Sequence, residues 1–171
     1  MSAPVFNVLF LCAGNSARSI FAESILNHLG SGHFTGFSAG SKPKGEVHPL
    51  ALKVLADAGL PTSGLHSKGW DEFAAPGAPH FDFIFTVCDV VAGEPCPVWP
   101  GHPISAHWGI ADPTATQGSD NHKLYAFRTA FVELDNRIKL FMTLPLKTLD
   151  RMKIQEHLDA IGKGESASAV A

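Results

Sequence analysis

Apolar and polar positions divide the chain into runs of two alternating kinds. Val5 to Leu11 is a near-continuous apolar run, the pattern of a strand buried on both faces. From Ser16 the spacing becomes helical, with Ile20, Phe21, Ile25 and Leu29 on one face and Gly30 as the stop. Phe34 to Ala39 reads as a second strand closed by Gly40, and Pro49 to Ala58 as a helix ending at Gly59. Residues 73–80, rich in Ala, Pro and Gly, read as loop, and Phe83 to Val87 as a third buried strand. Residues 89–103 hold four prolines and two glycines and predict an irregular loop. Ser105 to Gly109 predicts a short fourth strand. Leu124, Phe127, Phe131, Leu134, Ile138 and Phe141 then mark a long helix over 121–142, broken at Pro145. A shorter amphipathic helix is expected near Thr148 to Ile161, followed by a flexible tail, GKGESASAVA.

Strands alternating with helices predict a parallel α/β sheet, whose sites lie at the carboxyl ends of its strands. Cys12 and Cys88 each follow a predicted strand, which makes them the first candidates for chemistry. The 171 residues fit one domain, and 45% apolar against 17% charged residues excludes disorder over most of the chain. A net charge of −3 gives no reason to expect nucleic acid or a membrane surface as partner. The N-terminal apolar stretch has no basic segment before it, so it reads as a core strand, not a signal peptide, and the cytoplasm is the expected location. In that reducing compartment three cysteines point to catalysis or burial, not to structural disulfides. The nine histidines are scattered without the short paired spacings of zinc sites, so neither metal nor cofactor is expected.

The stretch LFLCAGNSARS, residues 9–19, joins the first strand to the first helix. Gly14 permits unusual backbone conformations, and successive amides from Ala13 to Ser19 can turn inward as an anion-binding nest. The helix beginning near Ser16 adds its positive end, and Arg18 a planar fork suited to tetrahedral oxyanions. A thiol at the base of such a cradle is expected to have a depressed pKa, with Ser19 donating to the thiolate. The loop Ala13, Gly14, Asn15, Ser16, Ala17, Arg18 and Ser19 would thus bind a phosphate-like group beside an activated Cys12. The plainer alternative is a buried cysteine that ends a core strand.

CAGNSARS resembles the C-x-G-N-x-x-R-S loop of the low-molecular-weight protein tyrosine phosphatases, a fold shared with the thioredoxin-coupled arsenate reductases. FSAG at 37–40 is similar to the second-strand signature of that family, and Asp112-Pro113 to its general-acid motif. The likeness spans about Val5 to Met142. It implies a phosphatase-like domain over 1–142, a three-layer α/β sandwich on a four-stranded parallel sheet, with 143–171 as a C-terminal extension. Within the family, HWGIADP at 107–113 and the cysteine pair Cys88 and Cys96 resemble the reductases. A phosphatase would more often have a tyrosine after its Asp-Pro, where this chain has Thr114.

The resemblance implies reduction of arsenate by a relay, with phosphate or sulfate as analogues of the substrate. Cys12 attacks arsenate held by the loop and Arg18, Asp112 helps water leave, Cys88 attacks Cys12, and Cys96 then attacks Cys88. Thioredoxin, or glutaredoxin with glutathione, would reset the last disulfide. The other activity compatible with the loop is that of a tyrosine phosphatase or small phosphomonoesterase, which needs only Cys12, Arg18 and Asp112. Two departures stand out: Cys88 and Cys96 are one residue further apart than is typical, and Ala17 stands where some relatives have cysteine. Some family members bind potassium beneath the loop, through positions that correspond to Asn15, Glu23, Ser38 and an aspartate where this chain has Lys68. Lys68 is therefore either a built-in replacement for that cation or a solvated surface lysine. His107 and Trp108 either position the Asp112 segment or pack in the core, packing being the commoner use.

Overall fold

The computed structural model describes residues 5–89 and 99–163. Cys96 and the tail after Lys163 lie outside the described residues. The sheet has four parallel strands, β1 (Phe6–Cys12), β2 (Phe34–Gly40), β3 (Phe83–Thr86) and β4 (Ile104–His107), in the order β2-β1-β3-β4. The helices are α1 (Arg18–Leu29), α2 (Pro49–Asp57), α3 (Asp71–Ala74), α4 (Asp120–Met142) and α5 (Arg151–Gly162).

Side chains alternate across a strand. On one face Phe34, Phe83 and Phe85 stack around Phe141 of α4, with centroids 5.1–5.4 Å away. On the other, Phe37 meets Phe73 of α3 and Phe81 at 5.7 and 5.4 Å. Helices therefore cover both faces, as expected of a three-layer α/β sandwich. Among the described residues, no helix is long and apolar enough to cross a membrane.

Among the boundaries that differ from the expected ones, three bear on the site or the core. The third strand stops at Thr86, so Cys88 lies two residues beyond it. The fourth runs Ile104–His107 instead of Ser105–Gly109; just past it the Trp108 amide still donates to Thr86 O at 2.7 Å while the indole stacks on Phe85 at 3.9 Å. The stretch expected to be all loop from Phe73 begins inside α3, where Phe73 is drawn into the aromatic cluster.

The helix expected after Pro145 is α5. Its Ile154, Leu158 and Ile161 join the buried core. It braces β4 through Trp108 Nε1 donating to the Leu158 carbonyl (3.0 Å) and Gln155 Nε2 donating to Ser105 O (2.7 Å). A Cβ at Gly162 would collide with the His107 carbonyl, so the helix can come this close only with glycine there.

The strand order puts the site where it is. The chain leaves β1 toward one edge for β2 and returns on the other side for β3, so the loops after β1 and β3 diverge at a topological switch point. The Val87 amide still donates to Leu11 O at 2.8 Å, which holds the chain in register up to Cys12 and Cys88.

Candidate active site

The β1–α1 loop is held from three sides. A Cβ at Gly40 would strike the carbonyl oxygens of Ala13 and Cys12, so the end of β2 can lie against the loop only as glycine. The amides of Lys42, Lys44 and His48 donate to the carbonyls of Ala13, Gly14 and Ser16 at 2.9–3.0 Å. The left-handed residue of the loop is Asn15, at φ 46°, and not Gly14. Its buried amide group accounts for this: Nδ2 donates to Ser19 Oγ at 2.8 Å and Oδ1 accepts from the Lys68 amide at 2.9 Å. Two side-chain bonds thus offset the cost of a conformation that Asn tolerates better than most residues.

Ser19 accepts from Asn15, and among the described residues no bond joins it to Cys12, contrary to the expected donation to the thiolate. Ala17 is the residue before α1, and the Phe21 amide closes onto its carbonyl at 2.8 Å.

Cys12, Arg18, Cys88 and Asp112 line one cavity of about 140 Å³ together with Ala13, Gly14, Ser16, Ala17, Lys44 and Thr114. Cys12 and Cys88 are both buried thiols. The Ala13 amide, expected to face an anion, donates instead to Cys88 Sγ at 3.2 Å. The depressed pKa expected for Cys12 is not found. Its thiol is pushed well above the ordinary range, first by the hydrogen bond it shares with Cys88 and then by burial, while Arg18 and the Gly14 amide pull the other way without prevailing. Two thiols coupled this closely titrate as a pair. The reason the expectation failed is tertiary: the elements that lower a thiol pKa are present, but burial and the hydrogen bond to a second sulfur, two residues past β3, outweigh them.

Arg18 donates through one terminal nitrogen to Ile110 O at 2.9 Å, and the other lies 3.6 Å from Asp112 Oδ2. Asp112 Oδ1 accepts from the Thr114 amide (2.9 Å) and hydroxyl (2.7 Å). Burial raises the Asp112 pKa, but the two Thr114 bonds, then Arg18 and Lys44, outweigh it, and the carboxyl titrates below its ordinary value. Asp112 is therefore a carboxylate at neutral pH, not a stored proton.

Beneath the loop, Lys68 is 8% exposed, which is not the environment of a solvated lysine. Its ammonium donates to His66 O (3.0 Å) and Ser38 Oγ (3.3 Å) and lies 4.0 Å from Glu23 Oε1. Ser38 in turn donates to Glu23 Oε2 at 3.0 Å. Burial pushes the Glu23 carboxyl up and the Lys68 ammonium down, each opposed by the other's charge.

Two contributors escaped the sequence reading. Arg137, on α4, donates to the carbonyls of Trp108 (3.1 Å) and Gly109 (3.0 Å), so Arg137 and Arg18 together hold three successive carbonyls on the way to Asp112. Lys44 reaches over Gly14 into the cavity. Neither has a local motif. Of the HWG segment, Trp108 packs fully in the core, whereas His107 bridges Thr86 Oγ1 and Asp89 Oδ1, both at 2.7 Å, and is half-exposed.

The sequence pattern described as Low molecular weight phosphotyrosine protein phosphatase matches residues 7–155. The chain belongs to this family. Within it, the chain is similar to an arsenate reductase of Shouchella clausii, 33% identical over 134 residues that cover 78% of this chain and 93% of that one. A glutaredoxin arsenate reductase of Synechocystis is 30% identical over 77% of this chain and 92% of its own. Among solved structures, the thioredoxin-dependent arsenate reductase of Corynebacterium glutamicum superposes with a TM-score of 0.62 at 26% identity. That superposition spans 86% of this chain and 66%, just under two thirds, of the other.

Proposed function

We propose that the protein reduces arsenate to arsenite with Cys12 as nucleophile and Cys88 as the thiol that supplies electrons. The observation that carries this reading is the pairing of Cys12 with Cys88 at the base of the oxyanion loop. A phosphatase completes its cycle with water and has no use for a second sulfur there.

In the reacting form the pair holds one proton between its two sulfurs. Transfer of that proton across their hydrogen bond to Cys88 leaves the charge on Cys12, where Arg18 and the Gly14 amide favour it. Cys12 Sγ attacks arsenic, and an arsenate oxygen departs as water. The proton it needs leaves Cys88 and passes through the Asp112 carboxylate, whose lowered pKa suits it to relay a proton rather than to store one. Cys88, now a thiolate, attacks Cys12 Sγ. The S–As bonding pair stays on arsenic, which falls from the +5 to the +3 state and leaves as arsenite, and a Cys12–Cys88 disulfide forms. Cys96 then attacks Cys88 and frees Cys12. An external dithiol, thioredoxin or glutaredoxin with glutathione, reduces the Cys88–Cys96 bond. Relatives named for each reductant support both options. A relay of free thiols suits the cytoplasm, where thiols are kept reduced. Lys68 supports the loop in the place of a bound cation, with Asn15, Glu23 and Ser38 as its partners.

The test is multiple-turnover arsenate reduction by Cys88→Ser and Cys96→Ser, with disulfides mapped after one turnover. Cys88→Ser should stall with arsenic on Cys12, and Cys96→Ser should accumulate Cys12–Cys88. Parent rates in both variants would remove the relay and leave the phosphatase reading in its place.

A further inference from the structure

The side-chain charges of Arg18 and Asp112 nearly cancel in the cavity, so a doubly charged anion gains little net charge attraction from them. Arg18 is the guanidinium of the loop, but its charge is offset by Asp112 at 3.6 Å. The two together present almost no net charge to an incoming dianion. Of the other described residues lining the cavity, Lys44 alone is cationic. Its amide donates to Gly14 O at 3.0 Å, which fixes its backbone to the oxyanion loop. Its methylenes lie along Gly14, so closely that a Cβ added there would stand 3.2–3.5 Å from its side-chain carbons. The stem is thus braced by the loop, while among the described residues the ammonium has no ion pair or hydrogen bond. Its field is felt inside the site, where it helps to lower Asp112.

We propose that Lys44 is the charge-selecting residue of this site, the second cation that makes the cavity prefer a doubly charged tetrahedral oxyanion over a singly charged one of the same shape. Loop amides and Arg18 recognise the tetrahedron, and donors of that kind serve any such oxyanion. Lys44 adds a point charge at the mouth, which a lysine supplies without demanding a fixed geometry. The attraction grows with the charge of the ligand, so removal of Lys44 must weaken a dianion more than a monoanion. The inference rests on the oxyanion-binding part of the proposed function and not on the cysteine relay.

The experiment is calorimetric titration of the reduced protein with sulfate and with perchlorate, both tetrahedral, at pH 7.5 and constant ionic strength. The parent, Lys44→Gln and Lys44→Arg are compared, and unchanged unfolding midpoints are required of both variants. Lys44→Gln should bind sulfate about tenfold more weakly and perchlorate only about threefold more weakly, since the attraction scales with ligand charge, and Lys44→Arg should keep the parent preference. Equal losses for the two anions, or no loss for sulfate, would overturn the proposal. No turnover is read, so the outcomes separate cleanly. A protein that behaves as expected here but fails to reduce arsenate loses only the relay. One that reduces arsenate with an unchanged sulfate preference in Lys44→Gln loses only the role of Lys44.

Discussion

Replacing Lys68 by methionine probes whether the oxyanion loop rests on a buried cation. The substitution keeps most of the side-chain volume and deletes the charge. It leaves Glu23, whose side chain is 14% exposed, with the Ser38 hydroxyl as its hydrogen-bond partner. At the 4.0 Å separation found here, attraction between unit charges is about 4 kcal/mol at an effective dielectric of ~20. Removing one partner of a buried pair costs on the order of 3–5 kcal/mol, because the other charge is stranded. The expected loss at pH 7.5 is therefore about 3 kcal/mol. With a urea dependence of ~2 kcal/mol per molar, the unfolding midpoint should fall by about 1.5 M. The pH dependence fixes the cause. Burial already raises the folded-state pKa of Glu23, and loss of Lys68 raises it further. Between the unfolded value and that raised value the folded state binds more protons, so stability falls as pH rises through this window. The gap between variant and parent must then narrow toward pH 5, and Glu23→Gln in the variant must recover much of the loss. A change below ~0.5 kcal/mol with no pH dependence would refute the argument and deny the buried ammonium a supporting role.

Three further outcomes are expected. Arg137→Met should lower the kcat for arsenate reduction about tenfold with little change in KM, because Asp112 is displaced once the carbonyls of Trp108 and Gly109 are released, with partial recovery in Arg137→Lys. Steady-state kinetics read this, and an unchanged kcat would deny Arg137 a positioning role. Burial first, and Lys44 next, lower the His48 pKa, and its Nδ1 accepts from the Leu50 amide at 3.1 Å. Its imidazole resonances should thus titrate below the ordinary histidine value, and stability should fall as pH drops from ~6.5 toward that lowered value. A midpoint at or above the ordinary value contradicts this. Gly40→Ala should abolish sulfate binding, since the new methyl meets backbone carbonyls that cannot yield without moving the loop. Binding of parent strength in a folded Gly40→Ala protein would show that the close approach is dispensable.

How much of this was legible in the sequence depended on whether the determining contacts were local. The run ending in Cys12 gave β1 and the first half of the site, because burial on both faces imposes a continuous apolar pattern. The long helix was equally plain, its buried Phe127, Leu134, Ile138 and Phe141 lying at helical spacing. The protonation state of Cys12 was not legible, since it depends on burial and on a sulfur from a segment distant in sequence. Nor was that of Asp112, which is set by how Thr114 turns back upon it. Gly14 drew attention as the flexible residue, yet Asn15 takes the left-handed turn, because its side chain alone can bridge Ser19 and Lys68. Arg137 and Lys44 act through distant backbone carbonyls and a cavity wall, which leave no trace in spacing.

The bond from the Val87 amide to Leu11 O has a mechanical consequence. It is the last rung before both sulfurs, and it belongs to the interior pair of strands, β1 and β3, which are flanked on each side by another strand. The platforms that carry Cys12 and Cys88 cannot slide or part without unzipping the centre of the sheet. Any approach of one sulfur to the other is thereby left to rotation about the Cα–Cβ bonds. The two thiols work like contacts set in a rigid frame: the spacing is built in, and only the tips turn.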